Sequence, residues 1–307
     1  MTLETTPHDP PRRPRGKPGG KRKPQANGAV YGALDLGSNN CRLLVARPEA
    51  QGFRVIDAFS RIVRLGEGVS ETGRLSDAAM DRTLSALTVC ARKLRRRGVT
   101  RFRGVATEAC RLAENCDAFV ARAADEAGVE LQIISGFEEV ELALHSCMPL
   151  LEEQASHALL FDIGGCSTEL IWVRLDRDGA PELADWASLC CGVVSLAERH
   201  GGDRISADTY EAMVVEAAEM IAPFVASLGI DEPLACGRLQ LLGTSGTVTT
   251  IAGLHQGLRR YDRAKVDGFL LGFGEIRHQV DRLLEMDFEA RAAEPCIGAG
   301  RGDVVVA

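Results

Sequence analysis

At 307 residues, with 26% charged and 45% apolar side chains and a formal charge of −7, the chain is long enough for two domains with sizeable cores and has an ordinary globular composition. No apolar run approaches the ~20 residues of a membrane span, and no apolar N-terminal stretch reads as a signal peptide. Ten cysteines at irregular spacings, with no Cys-x-x-Cys pair and several inside apolar runs (Cys90, Cys147, Cys190), point to a reduced, cytoplasmic protein rather than a disulfide scaffold.

The charge is uneven along the chain. Residues 1–28 hold seven Lys/Arg against Glu4 and Asp9, with six of the twelve prolines. This composition predicts a disordered, solvated basic leader, and a weak electrostatic grip on polyanions is the sharper alternative. The remaining body is acidic, which argues against a dedicated nucleic-acid binder.

The folded part begins after Asn27-Gly28. Tyr31 to Asp35 reads as a buried strand, Cys41 to Arg47 as a second and Phe53 to Arg61 as a third. Ser76 caps a helix in which Ala78, Met80, Leu84, Leu87, Ala91 and Leu94 recur at helical spacing up to Gly98. Its last turn, Arg92 to Arg97, is strongly basic; either it complements the helix C-terminus or it steers an anionic substrate. Phe102 to Thr107 is a further strand, Asn115 or Asp117 opens a helix to Ala127, and Leu131 to Ile134 is a strand. Phe137 to His145 reads as the next helix.

From there the pattern starts again. Strands are expected near 158–162, 168–174 and 182–189, with Asp178-Gly179 a hairpin turn. The nearby Asp176 and Asp178 suit a hairpin tip better than a calcium site. Helices follow near 193–200 and 206–228. Leu239 to Thr247 is a strand entering a Gly-Thr-Ser-Gly-Thr turn, Val248 to Leu254 a helix, and Phe273 to Met286 another. Val304 to Ala307 reads as the opening of a strand or helix, so the chain looks cut short. The expected division is a leader over 1–28, a first domain over 29–142 and a second over 143–307.

Two stretches carry the chemistry. Asp162-Ile-Gly-Gly-Cys-Ser-Thr-Glu169 is a strand that delivers a carboxylate and breaks into glycines and hydroxyls before turning apolar again. Asp35-Leu-Gly-Ser-Asn39 is its earlier echo. Glycines let backbone N–H groups converge on an anion, and a carboxylate beside them can hold a hydrated cation. Two such turns in one chain are far more informative than either alone. Histidine catalysis is unattractive, because His145, His157, His200, His255 and His278 show no paired spacing. No Gly-x-Ser-x-Gly elbow supports a serine nucleophile.

Two β-β-β-α-β-α halves, each opening with Asp-apolar-Gly, resemble the duplicated α/β fold of actin and hexokinase (ribonuclease H-like), two domains around a phosphate-binding cleft. The motifs Asp35 to Asn39, Thr107-Glu-Ala-Cys-Arg111, Ile134-Ser-Gly-Phe-Glu-Glu139, Asp162 to Glu169 and Gly243-Thr-Ser-Gly-Thr247 together resemble the exopolyphosphatase/guanosine pentaphosphate phosphatase (Ppx/GppA) family over residues 30–307. The resemblance implies Mg²⁺-dependent hydrolysis of a terminal phosphoanhydride, in polyphosphate or guanosine pentaphosphate. It implies that Glu139 orients or deprotonates the attacking water and that Arg111 contacts phosphate near it. Asp162 and Glu169 would hold Mg²⁺. Phosphate would be bound by Asp35, Gly37, Ser38 and Asn39 of the first turn and by Gly164, Gly165, Ser167 and Thr168 of the second. Gly243, Ser245, Gly246, Thr247 and Arg301 would complete the binding set.

The chain departs from the family pattern at Cys166, where a third glycine is usual, and at Asn40, where a serine is common. A Cβ at 166 restricts the turn if that position needs positive φ. The same residues leave two other readings open: a non-catalytic sensor of guanosine tetra- or pentaphosphate, and an ATP-dependent kinase of the same fold. No membrane partner is expected, and a homodimer is compatible with the resemblance.

Overall fold

A computed structural model describes residues 28–50, 52–175, 181–298 and 300–307. The basic leader, but for Gly28, lies outside the described residues, as do Asp176 and the Asp178-Gly179 tip. The first sheet comprises β1 (Tyr31–Leu36), β2 (Asn40–Pro48), β3 (Phe53–Ile62), β4 (Arg101–Ala106) and the short β5 (Gln132–Ile133), in the order β3-β2-β1-β4-β5. β1 to β3 form an antiparallel meander, and β4 and β5 join parallel to β1. The crossover from β3 to β4 is the helix Asp77–Arg96, capped by the Ser76 hydroxyl, which accepts from Ala79 N at 3.2 Å. Its apolar stripe of Met80, Leu84, Leu87, Cys90 and Ala91 packs on Leu34, Leu43 and Val45. The alternating residues Asp35 and Arg42 are thereby left on the opposite face.

The second sheet repeats the plan. β6 (His157–Ile163), β7 (Thr168–Leu175) and β8 (Pro181–Leu189) are an antiparallel meander, and β9 (Leu239–Thr244) joins parallel to β6, in the order β8-β7-β6-β9. The duplication extends to the irregularities. A bulge falls between Val45 and Ala46 in the first meander and between Trp172 and Val173 in the second. In each half it lies three residues beyond the one that pairs with the strand-end aspartate, since Asp35 pairs with Arg42 and Asp162 with Glu169.

The helix expected to Ala127 runs over Cys116–Arg122 and finishes as a π-helical turn over Ala123–Ala127. The helix Gly136–Cys147 places Val140, Leu144 and Cys147 against Ala158, Leu160, Ile171 and Val173 of the second sheet. The expected boundary between 142 and 143 therefore falls inside a helix whose buried face belongs to the second core. Val304 to Val306 are buried as expected of an apolar run, but they form a turn rather than a strand or helix start. Val304 packs on Val193 and Val194, and Val305 on the Ile251, Leu254 and Leu283 cluster. Among the described residues no helix is long and apolar enough to cross a membrane.

Candidate active site

Both meanders deliver their first turn to the same place. A cleft between the halves is lined by Asp35, Gly37, Ser38 and Asn39 from one side and by Asp162, Gly164, Gly165, Ser167 and Glu169 from the other. In the first turn Gly37 N donates to Asn40 O at 3.0 Å, and the Ser38 hydroxyl accepts from Ala109 N at 3.2 Å. In the second, Gly164 N donates to Ser167 O at 2.8 Å, and Gly165 O accepts from Val194 N at 2.7 Å. The turns meet directly: a Cβ on Gly165 would lie 3.1 Å from Asn39 N and from Ser38 Cβ. Close approach, rather than positive φ, is what this glycine supplies.

Cys166 follows it without strain. Only Arg64 (φ 48) and Ser245 (φ 78) have positive φ among the described non-glycine residues, so the turn does not need glycine at 166. The thiol is buried against Gly66 of the first half, with Sγ 4.0 Å from Gly66 O, and burial pushes it up to about 11.

Glu139 enters the cleft from the first turn of the helix Gly136–Cys147, whose N-cap Ser135 accepts from Glu138 N at 3.2 Å. Its neighbour Glu138 points elsewhere and pairs with Arg103. Arg111 holds Glu139 from behind. Its Nη1 donates to Glu139 Oε2 at 2.8 Å and to Ile134 O at 3.1 Å, while Nε donates to Glu108 at 2.7 Å. Burial pushes the Glu139 carboxyl up, Arg111 opposes this, and Asp162 and Asp35 add to it. Burial works against the Arg111 charge, but the two glutamates outweigh it and hold the guanidinium charged.

Burial acts on the other carboxylates of the cleft as well. Glu169 is 2% exposed and accepts from the Ser188 hydroxyl at 2.9 Å. Burial first, then repulsion from Glu139, pushes its carboxyl up to about 7. Asp162 is raised by burial and by Asp35, with Arg42 and the nearby Ser245 hydroxyl opposing. Asp35 keeps half its side-chain surface open to cleft solvent, yet the protein packed around the cleft still raises it, against Arg42 at 4.0 Å.

The third turn closes the site. β9 ends at Thr244, and the helix Ser245–His255 begins with Ser245 in the left-handed region, a conformation that costs of order 1–3 kcal/mol and concentrates at functional sites. Ser245, Gly246 and Thr247 line the cleft, as does Arg301, whose Nη1 donates to Thr250 Oγ1 at 3.0 Å. Burial and the repulsion of Arg42 both disfavour the Arg301 charge. Among the described residues its guanidinium has no carboxylate within 4.0 Å, so an anionic ligand would be its first counter-ion.

Three expected site residues are placed differently. Arg111 reaches Glu139 but does not line the cleft. The Thr168 hydroxyl donates to Cys191 O instead of facing a ligand. Gly243 packs under the Phe161 ring, where a Cβ would come within 2.6 Å. Conversely, Arg42, Asn40, Thr107 and Val193 line the cleft and are absent from the expected set. Arg42 was legible: a hairpin turning between 38 and 39 must place 42 opposite 35. His145, His157, His200 and His255 instead contact Glu141 O, Trp172, Glu216 and Glu275 respectively.

The donor set suits a hydrated divalent cation. Four carboxylates face two guanidiniums here, and the Asn39 side-chain oxygen is buried with no partner among the described residues. Such a cleft repels a polyphosphate unless cations accompany it. Among the described residues no three His, Cys, Asp or Glu side chains gather as a ready-made metal site. One or two carboxylates completed by water and substrate oxygens is how Mg²⁺ is usually held.

Comparison with known proteins agrees with this geometry. The model of the Ppx/GppA phosphatase family matches residues 44–307. Exopolyphosphatase 2 of Mycobacterium tuberculosis is 32% identical over 287 residues, covering 89% of this chain and 85% of that protein. Among solved structures, an exopolyphosphatase-like protein superposes with a TM-score of 0.77 at 30% identity, covering 91% of this chain and 84% of its own. The PPX-GPPA enzyme of Aquifex aeolicus gives 0.70 at 26% identity, covering 91% and 88%.

Proposed function

This chain belongs to the Ppx/GppA phosphatase family, and on that premise we propose that it hydrolyses the terminal phosphoanhydride bond of inorganic polyphosphate, releasing orthophosphate. Guanosine pentaphosphate, cleaved to the tetraphosphate, is the alternative substrate, since both present a chain of phosphoanhydrides to the same turns. The observation that carries the reading is the placement of Glu139: a carboxylate raised by burial, aimed between two phosphate turns, while Glu138 faces outward.

Phosphoryl transfer asks little covalent chemistry of the protein and much positioning. Gly37 to Asn39 and Gly164 to Ser167 fix the terminal phosphate from both sides, and the N-terminus of the helix Ser245–His255 offers further N–H donors. Glu139 orients a water on the side away from the leaving group and accepts its proton; a carboxylate raised towards neutrality is a better base at working pH. Arg111 keeps that carboxylate aimed. Arg42 and Arg301 face the transferring charge and the leaving phosphate. Asp162 and Glu169 are the residues that would hold Mg²⁺, which when bound neutralises phosphate oxygens.

The test is orthophosphate release from polyphosphate and, separately, from guanosine pentaphosphate, with and without Mg²⁺, by wild type and Glu139→Ala. Loss of roughly 10²–10⁴ in kcat is expected on removing a positioned general base. Unchanged turnover in Glu139→Ala sinks the assigned role. Tight binding of guanosine pentaphosphate with no turnover of either compound by wild type would select the sensor reading.

A further inference from the structure

Behind the phosphate turns, one arginine ties the two halves together. Arg64 lies in the loop after β3 with φ 48, left-handed backbone that a side-chain-bearing residue adopts only where its surroundings hold it. The loop is fastened to the first phosphate turn: Val63 N and Arg64 N donate to Asn39 O at 2.8 and 3.1 Å, and Gly66 N to Ser38 O at 2.8 Å. The Arg64 side chain then crosses to the second half. Nη1 lies 2.7 Å from Asp303 Oδ2, and Nη2 donates to Asp303 Oδ1 at 2.8 Å and to Gly300 O at 3.0 Å. Planar two-pronged pairing of this kind adds direction as well as energy.

The two anchors, Gly300 and Asp303, bracket Arg301. That residue is half-buried at the cleft, among the described residues its guanidinium has only Thr250 Oγ1 for a partner, and its own charge is disfavoured there. Asp303 is held from its other side as well, because its carbonyl abuts Gly202 so closely that a Cβ there would lie 2.3 Å away. Moving Asp303 therefore moves Arg301, and Arg64 controls Asp303 from the half that carries Ser38 and Asn39.

We infer that Arg64 is a positioning residue: its clasp on Gly300 and Asp303 sets Arg301 in the cleft and couples that guanidinium to the first phosphate turn. The inference rests on the reading of Arg301 as a phosphate contact. It implies that Arg64 acts on substrate only through Arg301, whereas an inter-half ion pair that merely adds stability would act on the whole fold.

A double-mutant cycle separates the two. Arg64→Asn tolerates the left-handed backbone and removes the clasp, and Arg301→Gln removes its target. The Kd for tripolyphosphate by calorimetry, KM and kcat for polyphosphate, and the melting temperature are measured for wild type, both single variants and the double variant. The expected result is that each single change weakens tripolyphosphate binding about tenfold. The double variant should be no more than twofold weaker than Arg301→Gln alone, and Asp303→Asn should reproduce Arg64→Asn. Multiplying effects in the double variant, or a fall in melting temperature with unchanged Kd, overturns the inference. Because binding is read apart from turnover, a wild type that binds tripolyphosphate without hydrolysing polyphosphate counts against the proposed activity, and the cycle still decides the role of Arg64. A wild type that binds no tripolyphosphate overturns both.

Discussion

Arg42 and Glu169 occupy the same position in the two halves, each paired across its hairpin from the strand-end aspartate, Asp35 and Asp162 respectively. Duplication of the backbone has thus been combined with opposite charge at one site. Arg42 faces the cleft as a cation suited to phosphate; Glu169 faces it as an anion suited to a metal. Exchanging each for Gln should therefore give different defects. Arg42→Gln should raise KM for polyphosphate roughly tenfold, the loss of one charge-assisted hydrogen bond, and leave the Mg²⁺ requirement unchanged. Glu169→Gln should shift the Mg²⁺ concentration for half-maximal rate upward. A Mg²⁺ titration of both variants at saturating polyphosphate checks the contrast.

The raised carboxyl of Glu169 makes a stability prediction with a definite sign. Below its ordinary value of 4.5 both folded and unfolded states hold the proton, and there is no penalty. Between 4.5 and about 7 the unfolded state ionises while the folded state stays protonated, so stability falls as pH rises. The full effect is of order 3 kcal/mol above pH 7. Metal-free protein should melt lower at pH 8 than at pH 5, and Glu169→Gln should remove much of that difference. Mg²⁺ should raise the melting temperature more at pH 8 than at pH 5. Thermal melts across that range with and without Mg²⁺ are the measurement.

Arg111 touches Glu139 rather than the cleft, so its loss should appear in the chemistry of Glu139. Without the guanidinium, burial and the nearby Asp162 and Asp35 act on Glu139 unopposed, and its carboxyl rises further. In Arg111→Met the acidic limb of the kcat profile should move to higher pH. At neutral pH kcat should fall by about 10- to 100-fold while KM changes little, as expected when a base is misaimed and the groups that bind substrate stay in place. An unmoved acidic limb would contradict the assignment.

At Cys166 the expected conflict between residue and turn does not exist. The backbone there is not left-handed, and the thiol fills the space beside Gly66. Cys166→Gly should therefore fail to raise turnover and should destabilise the protein by roughly 1–3 kcal/mol, from the vacated volume and the added backbone freedom. Denaturant unfolding beside a polyphosphate assay decides it.

Much of the architecture is legible in the sequence. Strand–glycine–strand repetition located both meanders, since apolar runs broken by glycines and hydroxyls have few other ways to fold. Ser76 marked a helix start through cap chemistry, accepting from the backbone N–H three residues on. The end of the chain was not legible: Val304 to Val306 are apolar because they are buried, but burial alone does not distinguish a strand from a turn. The expected boundary between 142 and 143 lies inside a helix for a related reason. The helix Gly136–Cys147 reads amphipathic in sequence, but nothing in that pattern says which of two sheets its apolar face will meet.

The site divides in the same way. Local sequence by itself determined that Asp35 and Asp162 end strands at glycine turns and that Glu139 opens a helix, because backbone chemistry acts over a few residues. It could not choose between Glu138 and Glu139, send the Thr168 hydroxyl to Cys191, or set Arg111 behind Glu139 instead of in the cleft. Nor could it bring Arg64 to Asp303, 239 residues away. Those outcomes depend on which surfaces of the two halves press together, and on the burial that raises one carboxylate and pairs another. Only the tertiary structure decides them.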